Sequence, residues 1–89
     1  MNKQQKEQDV ENCLAALRRR HGLSQERLAE DLQVTRHTII ALEVGRYVPS
    51  IELALKLAAY FELPLESIFW LRASAKPTLR VPRNDPKPF

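Results

Sequence analysis

Residues 24–45 read SQERLAEDLQVTRHTIIALEVG, and two short helical patterns lie in this stretch, one on each side of a break at Gln33 and Val34. Ser24 and Thr35 are residue types that cap helix N-termini, and one of them stands at the start of each pattern. The apolar positions that follow share one helical face in each half: Leu28, Ala29 and Leu32, then Ile39 and Leu42. The small side chain of Ala29 lets a second helix cross closely. The stretch therefore predicts two helices that meet at a tight turn.

The second of these helices turns its first residues away from the apolar face, which is the geometry of a helix-turn-helix motif. Arg36 and His37 stand at these outward positions. Over residues 23–69 the chain resembles the short bacterial and phage members of the XRE family, the Cro and phage-repressor type of transcription regulator. Three segments carry the resemblance: LSQE at 23–26, VTRHTI at 34–39 and EVGRYVPS at 43–50.

The resemblance implies a sequence-specific regulator of transcription that binds double-stranded DNA, and a repressor in particular. Its second helix-turn-helix element would be a recognition helix at residues 35–44 that reads the major groove. Regulators of this type bind as homodimers to palindromic operators, so we expect a dimer here as well. The fold it implies is an all-α, compact five-helix lambda-repressor-like DNA-binding domain.

The apolar periodicity places the remaining helices at residues 9–21, 51–61 and 65–70. We therefore expect a flexible N-terminal lead-in at residues 1–8, the helix-turn-helix domain at 9–71, and a flexible, proline-rich, basic tail at 72–89. In the turn, Gln33 stands where many members of the family have glycine or asparagine. A left-handed backbone there would have a modest energetic cost.

The candidate DNA contacts divide into two groups. From the first turn of the recognition helix and the outward positions behind it, we predict contacts to bases by Arg36, His37, Thr38, Ile40 and Ala41. For the sugar-phosphate backbone we predict contacts by Gln25, Thr35, Arg46, Tyr47 and Arg20. The phosphate contact of Gln25, its bracing of the recognition helix and the backbone contacts of Arg46 and Tyr47 are implied by the resemblance. It also implies a structural role for Glu43, which would support the fold or orient a basic partner.

Composition limits the other kinds of function. The 89 residues, 44% of them hydrophobic, suffice for one small domain but not for a large catalytic cavity. The single cysteine fits a reducing cytosol, and neither a signal peptide nor a membrane span is recognisable, so we expect a cytoplasmic, nucleoid-associated protein that does not bind membranes. His21 and His37 lack any nucleophile or metal-binding pattern around them. We therefore expect no enzyme activity, no catalytic residues, no metal and no cofactor.

The C-terminal end offers the candidate contacts to other proteins. Phe69, Trp70 and Leu71 leave more apolar surface than a small monomer readily hides, and we predict the dimer interface there. The tail beyond them holds four of the six prolines, and residues 71–89 carry five basic residues against Asp85, a net charge of +4. Three roles stay open for it: a strand at residues 78–81 that pairs across a dimer, an arm that follows DNA, or a docking peptide for a second protein.

Two other interpretations of the whole chain stay open. An antitoxin would use the same motif to repress its own operon and its tail to bind a toxin. An adaptor would bridge other proteins through the surfaces around Ile40 and Trp70, with little sequence-specific affinity for DNA. Both differ from a dedicated regulator in requiring a protein partner.

Overall fold

The computed structural model describes residues 9–79, which form four α-helices and a small two-stranded sheet. The elements follow in the order β1 (Val10–Asn12), α1 (Leu14–Arg20), α2 (Gln25–Leu32), α3 (Arg36–Glu43), α4 (Ile51–Phe61) and β2 (Phe69–Leu71). Single 3₁₀ turns occupy Leu65–Ser67 and Ala73–Ala75. The lead-in at 1–8 and the tail beyond Leu79, including the end of the strand predicted at 78–81, lie outside the described residues.

The apolar faces read from the sequence meet in one core. Each of the four helices contributes at least one fully buried side chain, and Ile68 adds another from the segment before β2. The fully buried large side chains are Leu14, Leu28, Ile39, Leu42, Leu57 and Ile68. Between α2 and α4, the Tyr60 hydroxyl also donates to Asp31 Oδ2 at 2.6 Å. None of the helices in residues 9–79 has the length and apolar content that a membrane crossing requires.

The predicted helix starts at α2, α3 and α4 are confirmed by their caps. The hydroxyl of Ser24 accepts the Arg27 N–H at 2.9 Å, and the hydroxyl of Thr35 accepts the Thr38 N–H at 3.1 Å. Ser50 likewise accepts the backbone N–H of Leu53. Each cap satisfies a donor that the first helical turn leaves unpaired, which fixes where the helix begins.

The turn between α2 and α3 has the left-handed residue that the family pattern requires. Gln33 lies at φ 59° and ψ 42°, and its N–H closes the end of α2 on the Glu30 carbonyl. Val34 then donates to the Ala29 carbonyl at 3.0 Å. The chain keeps this geometry with a glutamine, whose Cβ makes the left-handed region costly.

The prediction of one helix over residues 9–21 is wrong at its start. Val10–Asn12 forms β1 instead, and α1 begins only at Leu14. The side chain of Asn12 explains the boundary, because its Oδ1 accepts the Leu14 N–H at 2.8 Å while its Nδ2 donates to the Leu42 carbonyl at 3.0 Å. A side chain held in this way ends the strand and starts the helix.

The predicted fifth α-helix at residues 65–70 is also not formed. A 3₁₀ turn at Leu65–Ser67 is followed directly by β2, which pairs antiparallel with β1 in the register Val10↔Leu71, Glu11↔Trp70 and Asn12↔Phe69. Backbone hydrogen bonds from Cys13 to Ile68 and from Arg72 to Asp9 extend the pairing at both ends. The domain is therefore mostly helical, with four helices and a sheet that joins the two ends of the domain.

Candidate nucleic-acid interface

The recognition helix predicted from the sequence is α3, and its two faces are in very different environments. Ile39 and Leu42 are fully buried, whereas Arg36 and His37 in the first turn are exposed. A helix that is anchored along one side and open at its N-terminal end can enter a groove without disturbing the core. The structure thus places the first two predicted base-contact residues together on one accessible turn.

The other three predicted base contacts are less open. Thr38, Ile40 and Ala41 are all half-buried. The hydroxyl of Thr38 lies 3.1 Å from that of Thr35, so it shares the cap of α3, while Thr35 itself is exposed. Arg36 and His37 are therefore the side chains on α3 with the most freedom to meet a base edge.

A buried ion pair holds α3 against the two helices before it. Glu43, in the last turn of α3, accepts hydrogen bonds from Arg18 Nε at 2.5 Å and Arg18 Nη2 at 3.2 Å. Gln25 Nε2 donates to Glu43 Oε1 at 3.1 Å, and Arg18 Nη1 donates to the Leu23 carbonyl at 2.8 Å. One carboxylate thus ties α1, α2 and α3 together, which is the structural role expected of Glu43.

The same contacts shift the acid–base equilibrium of Glu43. Burial by itself raises the pKa of its carboxyl, but the hydrogen bonds from Arg18 and Gln25 favour the carboxylate and hold the pKa below its ordinary value. Glu43 is therefore ionised at neutral pH, and its charge compensates that of the buried Arg18.

Three consecutive arginines, Arg18, Arg19 and Arg20, end α1, but they do not share one basic surface. The side chain of Arg18 is buried, whereas Arg19 and Arg20 are exposed. The apolar spacing contained a signal for this placement, because residue 18 lies four positions after Leu14 and so falls on the same helical face. Of the three, only Arg19 and Arg20 have side chains open to a phosphate.

The predicted backbone-contact residues surround α3 at both ends. Gln25 is half-buried and makes the bracing contact to Glu43 that the resemblance implies, which leaves one of its two amide hydrogens for another acceptor. Arg46 and Tyr47 are exposed in the loop after α3, close behind Glu43 in the chain. The Arg46 N–H donates to the Ala41 carbonyl at 2.9 Å, which fixes the direction in which this loop leaves the helix.

A shallow cavity of about 270 Å³ lies beside the recognition helix, between the α2–α3 turn and the start of α4. Thr38, Tyr47, Ser50 and Lys56 are among the side chains that line it. Nothing in the sequence distinguishes Lys56 from the many other charged residues. Its ammonium group pairs with Glu52 at 3.2 Å, one helical turn away.

The predicted dimer residues are only partly available for a partner. Phe69 belongs to the core of the monomer, with 8% of its surface exposed, because β2 turns it inward. Trp70 and Leu71 remain exposed at 39% and 40%, and the indole N–H of Trp70 donates to Glu11 Oε1 at 3.1 Å. Pairing with β1 has therefore covered part of the surface that the sequence leaves open.

The two histidines and the cysteine have ordinary structural surroundings. The ring of His21, at the C-terminal end of α1, packs on Phe61 with the ring centroids 5.2 Å apart. The thiol of Cys13 contacts the Ser67 carbonyl at 3.3 Å. Within residues 9–79 no three His, Cys, Asp or Glu side chains come together in a group that would hold a metal ion.

Comparison with known proteins identifies the family of this chain. The profile of the helix-turn-helix family matches residues 14–68, which include all four helices and the residues around α3 described above. The chain belongs to this family. Its members of the XRE type are DNA-binding regulators of transcription, and this helix-turn-helix protein shares the motif over most of its described length.

The similarity to individual regulators covers most of their length. The HTH-type transcriptional regulator YgzD of Bacillus subtilis is 48% identical over 62 residues, which are 70% of this helix-turn-helix protein and 94% of the relative. A regulator of Methanocaldococcus jannaschii is 48% identical over 60 residues, 67% of this chain and 91% of its own. One of Methanothermobacter thermautotrophicus is 54% identical over 55 residues, 61% of this chain and 80% of its own.

Proposed function

We propose that this helix-turn-helix protein is a sequence-specific repressor that binds a palindromic operator as a homodimer. The observation that carries the proposal is the environment of α3. Its first turn exposes Arg36 and His37, while its opposite face is buried and its last turn is held by the ion pair of Glu43 with Arg18. A helix fixed in this way presents the same two side chains to each base pair it meets, which supports discrimination between sequences.

The roles of the site residues follow from their reach and chemistry. Arg36 has the length and paired donors to contact O6 and N7 of a guanine, and His37 has ring nitrogens that donate to or accept from a purine edge. Ile40 and Ala41 contribute apolar contacts to thymine methyl groups. Thr38 stays near the helix cap and contacts the bases from there.

The backbone contacts set the register of the helix in the groove. Thr35 caps the N-terminal end of α3, Arg46 and Tyr47 follow its C-terminal end, and Gln25 on α2 contacts Glu43 in its last turn. Together with the exposed Arg20 they attract the phosphates on both sides of the groove. The protein docks first through these sequence-independent contacts, and the first turn of α3 then reads the bases.

The test is selection of bound duplexes from a random DNA pool at moderate salt, followed by sequencing. Enrichment of an inverted repeat, with half-sites about ten base pairs apart, is the expected result. A matched selection uses the variant that combines Arg36→Ala with His37→Ala, which leaves the buried face of α3 intact and is expected to lose the enrichment. If the wild-type protein selects no common sequence and its binding disappears as salt is raised, the proposal of sequence-specific repression is wrong.

A further inference from the structure

Four large aliphatic side chains project from the surface between the end of α3 and the second turn of α4. Ile51 is 79% exposed, Val44 61%, Leu55 55% and Val48 41%. Ile51 and Leu55 are one turn apart on α4, and Val44 and Val48 lie in the segment that leads into it. Isolated exposed aliphatic residues are common, but a group of this kind marks an interaction surface. We call these four residues the aliphatic patch.

The patch faces away from the contacts that α4 makes within the domain. The residues that α4 buries are Leu53, Ala54, Leu57 and Phe61. On the flank towards α2, Lys56 and Tyr60 line a second shallow cavity together with Asp31. Ile51 and Leu55 lie neither on the core-facing side of α4 nor on its flank towards α2. Their exposure therefore does not come from incomplete packing within the domain.

The geometry points to a second copy of this chain as the occupant, bound through the aliphatic patch of each protomer around a two-fold axis. This inference rests on the proposed function, which requires two protomers on one operator. Val44 is the C-terminal cap of α3, so a copy bound at this patch is fixed directly relative to the recognition helix. In a two-fold contact each of the four side chains is covered in both protomers.

The charges beside the patch are also self-complementary. Glu52 and Lys56 lie one turn apart on α4, next to Ile51 and Leu55, and are exposed enough to reach a neighbour. When two α4 helices pack antiparallel with the two-fold axis at the level of Ala54, Glu52 of each copy is at the level of Lys56 of the other. A partner of strongly positive or strongly negative charge gains nothing from this pattern, whereas an identical helix does.

In this arrangement the dimer interface lies at the aliphatic patch and not at β2. Phe69 is buried in its own domain, and Trp70 and Leu71 are less exposed than Ile51. The pairing of β2 with β1 and the hydrogen bond from Trp70 to Glu11 already use part of the strand surface. The side chains of the aliphatic patch keep at least 41% of their surface open to solvent.

The first test is sedimentation of the full chain at several concentrations. The wild-type protein is expected to dimerise, and the variant with both Ile51→Glu and Leu55→Glu is expected to dimerise at least tenfold more weakly. Leu79→Glu is a matched control, because Leu79 is also 79% exposed but lies far from α4 in the chain. Circular dichroism must show the same helix content in all three. A wild-type monomer at every concentration, or a double variant that dimerises like the control, would overturn the inference.

A second variant decides between the two apolar surfaces. Leu71→Glu places a charge on β2 and is expected to leave the dimer unchanged. If this substitution dissociates the dimer while the double α4 variant does not, the interface is at the strand and the inference is wrong. Because the two surfaces lie on different elements, a substitution on β2 is not expected to change the surface of α4, and the reverse also holds.

A mixing experiment tests the direct contact between α4 helices. The Glu52→Lys chain carries two positive charges beside its patch, and the Lys56→Glu chain carries two negative ones. Native mass spectrometry of the mixture is expected to show more heterodimer than the statistical half, since opposite charges then face each other across the axis. A statistical distribution, with dimers still formed, would show that the α4 helices do not face each other.

DNA binding separates failure of this inference from failure of the proposed function. The double α4 variant is expected to retain the affinity of a monomer for a duplex with one half-site and to lose the added affinity for two. Should a neutral double variant, Ile51→Ser with Leu55→Ser, stay folded and lose its affinity for the single half-site, the patch contacts DNA rather than a second copy. A wild-type dimer that selects no sequence would refute the proposed function and leave the dimer surface standing.

Discussion

Arg36 and Arg46 lie at opposite ends of α3 and differ in what they are placed to contact. Both are exposed, but Arg36 is in the first turn of the helix and Arg46 is in the loop that leaves it. Arg36→Ala is expected to cost about 1–3 kcal/mol of binding free energy on the selected operator, with little change on random duplexes. Titrations of both duplexes at several salt concentrations measure the two effects.

Arg46→Ala is the contrasting substitution in the same experiment. It is expected to weaken binding to all duplexes alike and to lower the slope of affinity against salt concentration by about one. Arg27→Ala is the control, because Arg27 is an exposed arginine that pairs with Asp31 within α2 and is not among the proposed DNA contacts. Equal losses on selected and random duplexes after Arg36→Ala would contradict its role in base reading.

The backbone conformation of Gln33 lowers the stability of the folded domain. At φ 59° Gln33 has the left-handed conformation that costs a residue with a Cβ about 1–2 kcal/mol. Glycine removes this cost but raises the conformational entropy of the unfolded chain, which lowers the free energy of unfolding by about 0.4–1 kcal/mol. Gln33→Gly is therefore expected to raise the free energy of unfolding by roughly 0.5–1 kcal/mol, as measured by urea denaturation.

The control for this prediction is a glycine placed where the backbone is helical. Ala16 is exposed within α1, and Ala16→Gly is expected to lower stability by about 1 kcal/mol. If Gln33→Gly also lowered stability, the left-handed turn would be relaxed in solution or Gln33 would contribute an interaction that offsets its strain.

At the scale of elements, Asn12 joins three of them. Its side chain accepts from Leu14 at the start of α1 and donates to the Leu42 carbonyl near the end of α3, while its backbone lies in β1. Asn12→Ala removes both side-chain hydrogen bonds and is expected to cost about 1–3 kcal/mol. Thermal unfolding measures the loss, with Glu11→Ala as a comparison that removes only the exposed hydrogen bond from Trp70.

Such joining contacts explain which elements were predictable from the sequence. The helices α2, α3 and α4 each have a capping residue and an apolar face within their own segment, so local information defined them. The strands β1 and β2 are three residues each and exist because they pair across most of the chain. The spacing of Val10, Leu14 and Leu17 fits a helix, and the pairing of Val10 with Leu71 overrides it.

In the candidate site too, some features follow from local sequence and others depend on a distant partner. The exposure of Arg36 and His37 follows from the period of α3 alone, and so does the burial of Ile39. The burial of Arg18 depends on Glu43, which is 25 positions later in the chain. An arginine beside two others favours a surface position unless its distant carboxylate partner is known.

The Arg18–Glu43 pair makes the packing of α1, α2 and α3 sensitive to acid. Because the folded state lowers the pKa of Glu43, its contribution to stability is complete above the ordinary carboxyl pKa of about 4.3 and is lost as pH falls through the lower folded value. Glu43→Gln is expected to cost about 3 kcal/mol at neutral pH, because it leaves Arg18 buried without a charged partner. The cost should shrink on acidification below that pKa.

Urea denaturation of both proteins between neutral and strongly acidic pH measures this difference. Glu30→Gln is the control, since it removes an exposed carboxylate from the surface of α2. A constant difference between wild type and Glu43→Gln down to the lowest pH would show that the carboxylate does not titrate in the folded state as its contacts require.

For the whole molecule, the positive charge and the folded core lie in different parts of the chain. The net charge of the 89 residues is +3, and the residues after Ala73 carry four basic side chains against Asp85, which accounts for the whole excess. Within the described residues, the part after Ala73 contributes no buried side chain. Stability and general attraction to DNA are thus expected to be separable by truncation.

Deletion of residues 74–89 is expected to leave a domain that unfolds cooperatively at nearly the wild-type temperature. It should weaken binding to random duplexes most strongly at low salt, because it removes the excess positive charge, while the preference for the selected operator remains. A full-length variant with glutamine in place of Lys76, Arg80, Arg83 and Lys87 separates charge from chain length and should bind DNA like the truncated protein. Loss of cooperative unfolding in the truncated protein would show instead that these residues belong to the core.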